Sequence, residues 1–431
     1  MTTADAQVST RGAGPMLTIG VLFFVFGFVT WLNGPLITFV KLAFDLDDVN
    51  AFLVPMAFYL SYFFLALPAS AILRKTGMKK GMALGLFIMA CGAAMFGEFT
   101  TRRFYPGALT GLFTIGAGLS LLQTAANPYI SIVGPIESAA QRIAFMGICN
   151  KVAGFLAPLV FGALVLYGLD DFGARVGAAP DGASRDALLD TFAAQVYGPY
   201  LAMAALLAVL GVWIARSDLP DIRSHQENSA REQDAGSRGI ASYPHLQLGV
   251  VCLFLYVGVE VLAGDAIGVY GQGFQIPPQK TAYFTSYTLA AMTVGYIVGL
   301  WLTPRYVPQQ RYLAWSGALG VLLALGAYAS SGYTSVAFIA ALGFANSMMW
   351  PAIFPLAIRG LGRHTETGSA LLIMAIAGGA LLPYAFALLK QRMDFQLAYA
   401  LLAVPSYVYI MSYGFLGYRA GMTPEARLTQ P

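Results

Sequence analysis

The stretch LQTAANPYI, Leu122–Ile130, lies inside an uncharged apolar run over 106–132. Gln123 and Asn127 are four residues apart, so on a helix they share one face. Pro128 removes a backbone donor and predicts a kink or break just beyond the two amides. A run of this length matches the apolar thickness of a bilayer. Two carboxamides on one face of a lipid-length helix, beside a weak point, predict a polar site within a membrane.

The same signal recurs outward in both directions. Only 11% of the 431 residues are charged and 58% are hydrophobic, whereas a soluble domain carries about 25% charged residues. Twelve spans are expected, over 16–41, 49–73, 80–99, 106–132, 140–168, 193–215, 246–271, 281–303, 312–330, 333–358, 367–389 and 394–417. The chain therefore reads as an all-α membrane protein, and the alternating pattern of a membrane β-barrel is absent. Residues 1–15 are polar, and the first apolar run is too long for a signal-peptide core, so it reads as an uncleaved span. Placing the N-terminus inside puts sixteen of the 25 Lys and Arg in inside segments, among them Arg74, Lys75, Lys79 and Lys80. That bias predicts both termini, residues 1–15 and 418–431, in the cytoplasm.

Two connections are long. Residues 169–192, rich in Asp, Gly and Ala, read as an outside loop, and 216–245, polar and of mixed charge, reads as an inside linker. The linker divides the chain into halves at 16–215 and 246–417, six spans each. The halves repeat weakly. RKTGMKKG (Arg74–Gly81) and PRYVPQQR (Pro304–Arg311) occupy matching loops. Aligning Pro128 with Pro351 sets Gln123 on Asn346 and Asn127 on Trp350. Aligning Gly27 with Gly258 sets Gly34 on Asp265. Two related six-helix halves with a site between them at midplane are a transporter architecture.

Ionisable residues inside the spans are few. Lys151 falls near the middle of the fifth span and Glu260 at similar depth in the seventh, in the opposite half. Each carries an insertion penalty of roughly 2.5–3.5 kcal/mol, so each must face a cavity or a partner. A Lys151–Glu260 pair across the two halves would be a proton-sensitive latch. Asp265 is about 140° around a regular helix from Glu260, so the two share a face only if Gly264 loosens the helix. Glu98 lies near a span end and reads as interfacial.

Other chemistries are not indicated. Cys91, Cys149 and Cys252 are scattered through apolar segments and suggest no disulfide framework. His225, His245 and His364 are far apart and suggest no metal site. GAGLSLLQ and IAGGALLP lack a P-loop lysine and follow no strand. No cofactor, enzymatic activity or nucleic-acid partner is expected.

Four stretches together resemble a known family: WLNGPL (Trp31–Leu36), LQTAANPYI, NKVAGFLAP (Asn150–Pro158) and TGSALLIMAIAGGALLP (Thr367–Pro383). The chain is similar over nearly all its spans to bacterial sugar:proton symporters of the fucose–galactose–glucose type, within the major facilitator superfamily. WLNG with EVLAGD (Glu260–Asp265) looks most like the N-acetylglucosamine and glucose/galactose branch. The resemblance implies a bacterial inner-membrane importer of a neutral hexose, coupled to H⁺ and working by alternating access. It implies a sugar contact at the position of Asn150. It also exposes departures. The fucose transporters carry an acid where this chain has Gly34 and a Glu where it has Gln123, so any proton must be carried elsewhere, by Glu260 or Asp265 with Lys151.

Sugars are held by amides and hydroxyls, with aromatic faces for the apolar side of the ring. The expected sugar-binding set is Thr30, Asn33, Gln123, Asn127, Asn150, Lys151, Asn346 and Trp350. Trp31 reads as a second aromatic platform or as part of an interfacial belt, and Tyr256 and Tyr287 as lining or as packing. The partners expected are a sugar, the lipid bilayer and H⁺, with Na⁺ left open, and the chain is expected to act as a monomer. An uncoupled sugar facilitator and a drug or metabolite exporter of the same superfamily are the alternatives.

Overall fold

The computed structural model describes residues 13–132, 139–166, 172, 175–217, 219, 239–303, 305–361 and 364–421. Among them, twelve helices are long and apolar enough to cross a membrane. Numbered here as spans one to twelve, they are Met16–Ala43, Asp48–Thr76, Met78–Thr101, Tyr105–Asn127, Arg142–Val165, Gly182–Arg216, Pro244–Gly264, Pro278–Leu302, Gln309–Ala329, Gly332–Ile358, Thr367–Lys390 and Phe395–Phe415. The chain is thus an all-α, multi-pass membrane protein. Most of the linker expected over 216–245, and most of both terminal tails, fall outside the described residues.

Span six departs from the expectation. The segment read as part of a loop over 169–192 includes a helix, Gly182–Ala194, that runs on into Tyr197–Arg216 after a short break. Asp181 starts it by accepting a hydrogen bond from the Ser184 amide at 2.7 Å. Leu189, Phe192 and Ala193 are buried, while Arg103 pairs with Asp186 and Asp190, and Arg185 with Asp45. The helix is partly polar and short of lipid length, so composition alone reads as loop.

Spans two and three turn on Gly77, whose φ of 79° and ψ of 165° define a backbone region reserved for glycine. This is the basic connection RKTGMKKG. The two halves meet where span two packs on span eleven and span five on span eight. In each half the first and fifth spans approach closely over a glycine. A Cβ on Gly27 of span one would fall 1.9 Å from the Asn150 carbonyl oxygen of span five, and one on Gly378 of span eleven 1.9 Å from the Phe254 carbonyl oxygen of span seven. Spans one and seven are the first of their halves, and spans five and eleven the fifth. Spans three and six, and nine and twelve, pack in pairs away from the seam and expose Val209, Trp213, Leu322 and Leu401, the surface a bilayer covers.

Both leading spans are interrupted. Span one is built of Ala13–Trp31 and Asn33–Ala43, and span seven, Pro244–Gly264, is followed after a two-residue break by the short helix Ile267–Gln272. Span ten breaks between Asn346 and Met349, and span eleven carries a 3-10 turn at Ala375–Ala377. Span four does not break: its helix runs from Tyr105 through Pro128 to Ile132. The interruption expected after LQTAAN occurs at its repeat counterpart instead, just before Pro351, which lies in the first turn of the new helix, where proline lacks no bond.

Candidate functional site

The centre of the seam is built from a stripe of glycines on span five. Gly147, Gly154 and Gly162 lie seven and eight residues apart, hence on one face. A Cβ at each would strike Tyr296, Leu289 or Tyr283 of span eight within 2.7 Å. Small residues let membrane helices approach closely, and Lys151 lies on that face between two of them. Its Nζ donates to Glu260 Oε1 of span seven at 2.9 Å, with the two side chains only 9% and 10% exposed. The ammonium also lies 4.6 Å from the centroid of the Trp31 ring, a cation–π contact that strengthens as water is excluded. Trp31 is itself buried against Gly154 and Gly264. It belongs to the central seam and not to an interfacial belt.

Glu260 and Asp265 point to different partners. Gly264 ends the first helix of span seven, and the amides of Asp265 and Ala266 both reach the Val261 carbonyl. The carbonyls released by this break are taken up by span eight: Thr288 Oγ1 donates to Ala263 at 2.9 Å and Thr285 Oγ1 to Gly264 at 2.7 Å. A bilayer offers no water for such groups, so neighbouring hydroxyls must bond them. Asp265 is 1% exposed. Its Oδ2 accepts from Tyr59 of span two at 3.4 Å, and its Oδ1 has no hydrogen-bond partner among the described residues. The carboxyl packs on Gly34, where a Cβ would lie 3.3 Å from Oδ1.

The amide wall connects to the same place. Gln123 Nε2 donates to the Tyr62 hydroxyl at 3.0 Å, and Tyr62 is one helical turn from Tyr59. Span two therefore joins the LQTAANP segment to Asp265. Thr30, Gln123, Asn127, Asn150 and Trp350 keep partly exposed surface. Asn33 is buried and donates to the Thr30 carbonyl at 3.0 Å across the break in span one. Asn150 Nδ2 donates to the Phe23 carbonyl at 3.4 Å, tying span five to span one. Asn346 is fully buried; its Oδ1 accepts from Tyr407 at 2.9 Å, and its Nδ2 has no partner among the described residues. Trp350 stacks on Phe354 with centroids 5.9 Å apart.

Tyr256 is buried beside Glu260. Tyr287 faces away from the bundle, seven residues before the exposed Val294 and fourteen before the exposed Trp301. Glu98 is surface-exposed and paired with Arg102. Tyr59, Tyr62 and Tyr407 were not expected from sequence. The one available signal was the i, i+3 spacing of Tyr59 and Tyr62, which in an aromatic-rich membrane chain reads as packing.

On the face opposite the termini the halves are shut. Gly34 to Val40 are all buried, and Phe52 of span two meets Phe386 of span eleven with centroids 6.3 Å apart. Asp48, at the start of span two, binds Lys41 of span one and Lys390 of span eleven, each at 2.6 Å.

Two repeated six-span halves, meeting over buried charge, are the construction of a secondary transporter. The family model described as Major Facilitator Superfamily matches residues 19–383, and the chain belongs to that superfamily. It is 32% identical over 417 residues to the glucose/galactose transporter of Brucella abortus biovar 1 (strain 9-941), covering 95% of each chain. It is 28% identical over 383 residues to the L-fucose-proton symporter of Escherichia coli (strain K12), covering 88% of this chain and 87% of that one. Among solved structures, FucP in the outward conformation superposes with a TM-score of 0.73 at 24% identity, covering 94% of this chain and 98% of that chain. A bacterial homologue of the human lysosomal transporter Spinster, inward-facing, gives 0.61 at 16% identity, covering 94% and 97%. These two likenesses concern the fold.

Proposed function

We propose that this chain is a sugar:H⁺ symporter of the bacterial inner membrane that imports a neutral hexose, either glucose/galactose or N-acetylglucosamine. Full-length similarity to a protein named a glucose/galactose transporter, and to one named an L-fucose-proton symporter, supports the substrate class and the coupling ion. The observation that carries the reading is Asp265: an acid 1% exposed at the seam, with one oxygen lacking a hydrogen-bond partner among the described residues, joined through Tyr59 and Tyr62 to the amide of Gln123. A carboxylate in that setting costs far more to bury than a neutral acid does.

In this reading Asp265 carries the proton. Lys151 and Glu260 form the latch, since protonating Glu260 removes one charge of the pair and frees the other. Thr30, Gln123, Asn127, Asn150 and Trp350 line the sugar path. Asn33 and Asn346 stand behind them, and Asn346 Nδ2, without a partner among the described residues, is a donor available to a sugar hydroxyl once the halves part. The termini face the cytoplasm in this reading, supported by the bias of Lys and Arg toward that side, and the shut face is then periplasmic. Import proceeds by rocking of the halves about the midplane site.

Proteoliposomes with an imposed pH or Na⁺ gradient, offered labelled galactose, glucose, N-acetylglucosamine and fucose, test this. The expected result is accumulation of one or more hexoses when the outside is acidic. Uptake that ignores both gradients would leave a facilitator. Efflux of lipophilic cations without sugar uptake would replace the importer by an exporter.

A further inference from the structure

Gly34 and Asp265 are counterparts under the repeat that also sets Gly27 on Gly258. In the folded chain these counterparts touch. A Cβ on Gly34 would lie 3.3 Å from both Asp265 Cα and Asp265 Oδ1, and 2.4 Å from Thr285 Oγ1. Equivalent positions that contact each other lie on the two-fold axis relating them, as in any self-complementary interface. A side chain on Gly34 would therefore enter the space that the Asp265 carboxyl occupies, once the Thr285 hydroxyl, 2.4 Å from a Cβ there, turns aside. That space holds one carboxyl, buried and met by the Tyr59 hydroxyl, and it has no room for a second side chain.

We propose that Gly34 and Asp265 form one shared acid site on the pseudo-two-fold axis. The carboxyl can be supplied by either half, and the opposite position must be glycine to admit it. This rests on the proton-coupled reading above and adds what that reading lacks: a reason for the burial of Asp265 and a role for Gly34. The groups facing the site are Asn33 of span one, Tyr59 and Tyr62 of span two, Lys151 of span five, Glu260 of span seven and Thr285 of span eight. Lys151 is already matched by Glu260, so a second ionised acid here would leave the seam with an unbalanced negative charge. The halves close over the site only when its carboxyl holds a proton.

The test exchanges the two residues. Four proteins are compared: the unaltered chain, Asp265→Gly, Gly34→Asp, and the double variant Gly34→Asp/Asp265→Gly. Each carries Thr38→Cys, on the buried stretch of the shut face, with Cys91, Cys149 and Cys252 replaced by Ala. The readouts are labelling by a membrane-impermeant maleimide from acid to alkaline pH, corrected for the reagent's own pH dependence on an exposed control cysteine, and pH-driven accumulation of labelled galactose. Labelling of the unaltered chain is expected to rise with pH, because losing the proton charges the buried site and opens that face. Asp265→Gly should label slowly at every pH. Gly34→Asp, with two carboxyls in one space, should label fast at every pH. The double variant should regain the pH-dependent rise and any galactose accumulation that the unaltered chain shows.

A double variant that folds, as judged by its elution in detergent, but labels independently of pH overturns the shared site. So does pH-independent labelling of the unaltered chain. A restored labelling profile without hexose accumulation in either protein leaves the shared site standing and removes the symport reading.

Discussion

Lys151 and Glu260 are the residues whose pairing was legible in advance. Two opposite charges, isolated in apolar spans of opposing halves, offset their burial by facing a cavity or each other. Removing one partner of such a pair costs about 3–5 kcal/mol, because the other is left buried and charged. Glu260→Gln is therefore expected to lower the detergent melting temperature and abolish pH-driven accumulation; undiminished accumulation would sink the latch. Lys151→Met with Glu260→Leu should recover much of the stability and none of the coupled transport. Asp265 was legible only as a candidate. The repeat alignment showed that it corresponds to Gly34 but could not show that the two touch. Tyr62 was barely legible, since its i, i+3 spacing from Tyr59 is all that sets it apart from the other 22 tyrosines, and that spacing reads as packing. Tyr62→Phe removes the acceptor of Gln123. A lost hydrogen bond of this kind is worth about 0.5–1.5 kcal/mol, so the half-saturating sugar concentration should rise roughly two- to twelvefold with little change in protein yield.

At the scale of the element, the sequence placed the spans well and their interruptions less well. Apolar length fixes a span because the bilayer fixes it. An interruption needs a neighbour able to bond the freed backbone groups, and that neighbour is distant in sequence. Pro128 shows the difference: its helix continues to Ile132, while the break at span seven has no proline and relies on Thr285 and Thr288. Thr285→Val keeps the shape of the side chain and removes the donor to the Gly264 carbonyl. An unsatisfied buried acceptor costs about 1–3 kcal/mol, which should appear as a lower melting temperature with the fold intact. Gly154→Val tests the stripe on span five. The added methyls meet Leu289 and Trp31. Overpacking of this kind typically costs about 1–3 kcal/mol, and here it should also displace the ring beneath Lys151.

For the molecule as a whole, the two halves were legible from one polar linker and a weak repeat, but the state in which they meet was not. Closure depends on contacts between spans far apart in the chain, and Asp48 is the clearest of them. One carboxylate holds Lys41 from its own half and Lys390 from the other, so two positive charges are drawn together at the rim. The three side chains are 16–30% exposed, and each pair alone is worth little against solvent screening. Their arrangement makes the carboxylate more important than either pair suggests. Without it the lysines face each other across the seam, and attraction between the halves becomes repulsion. Asp48→Asn should therefore speed maleimide labelling of Thr38→Cys at every pH, and raised salt should slow it again by screening the two ammonium groups. Lys390→Met removes one charge along with one bond and should have the smaller effect. Equal labelling of Asp48→Asn and the unaltered chain would mean that the rim is held by its apolar contacts, Phe52 on Phe386 among them, and not by the ion pairs.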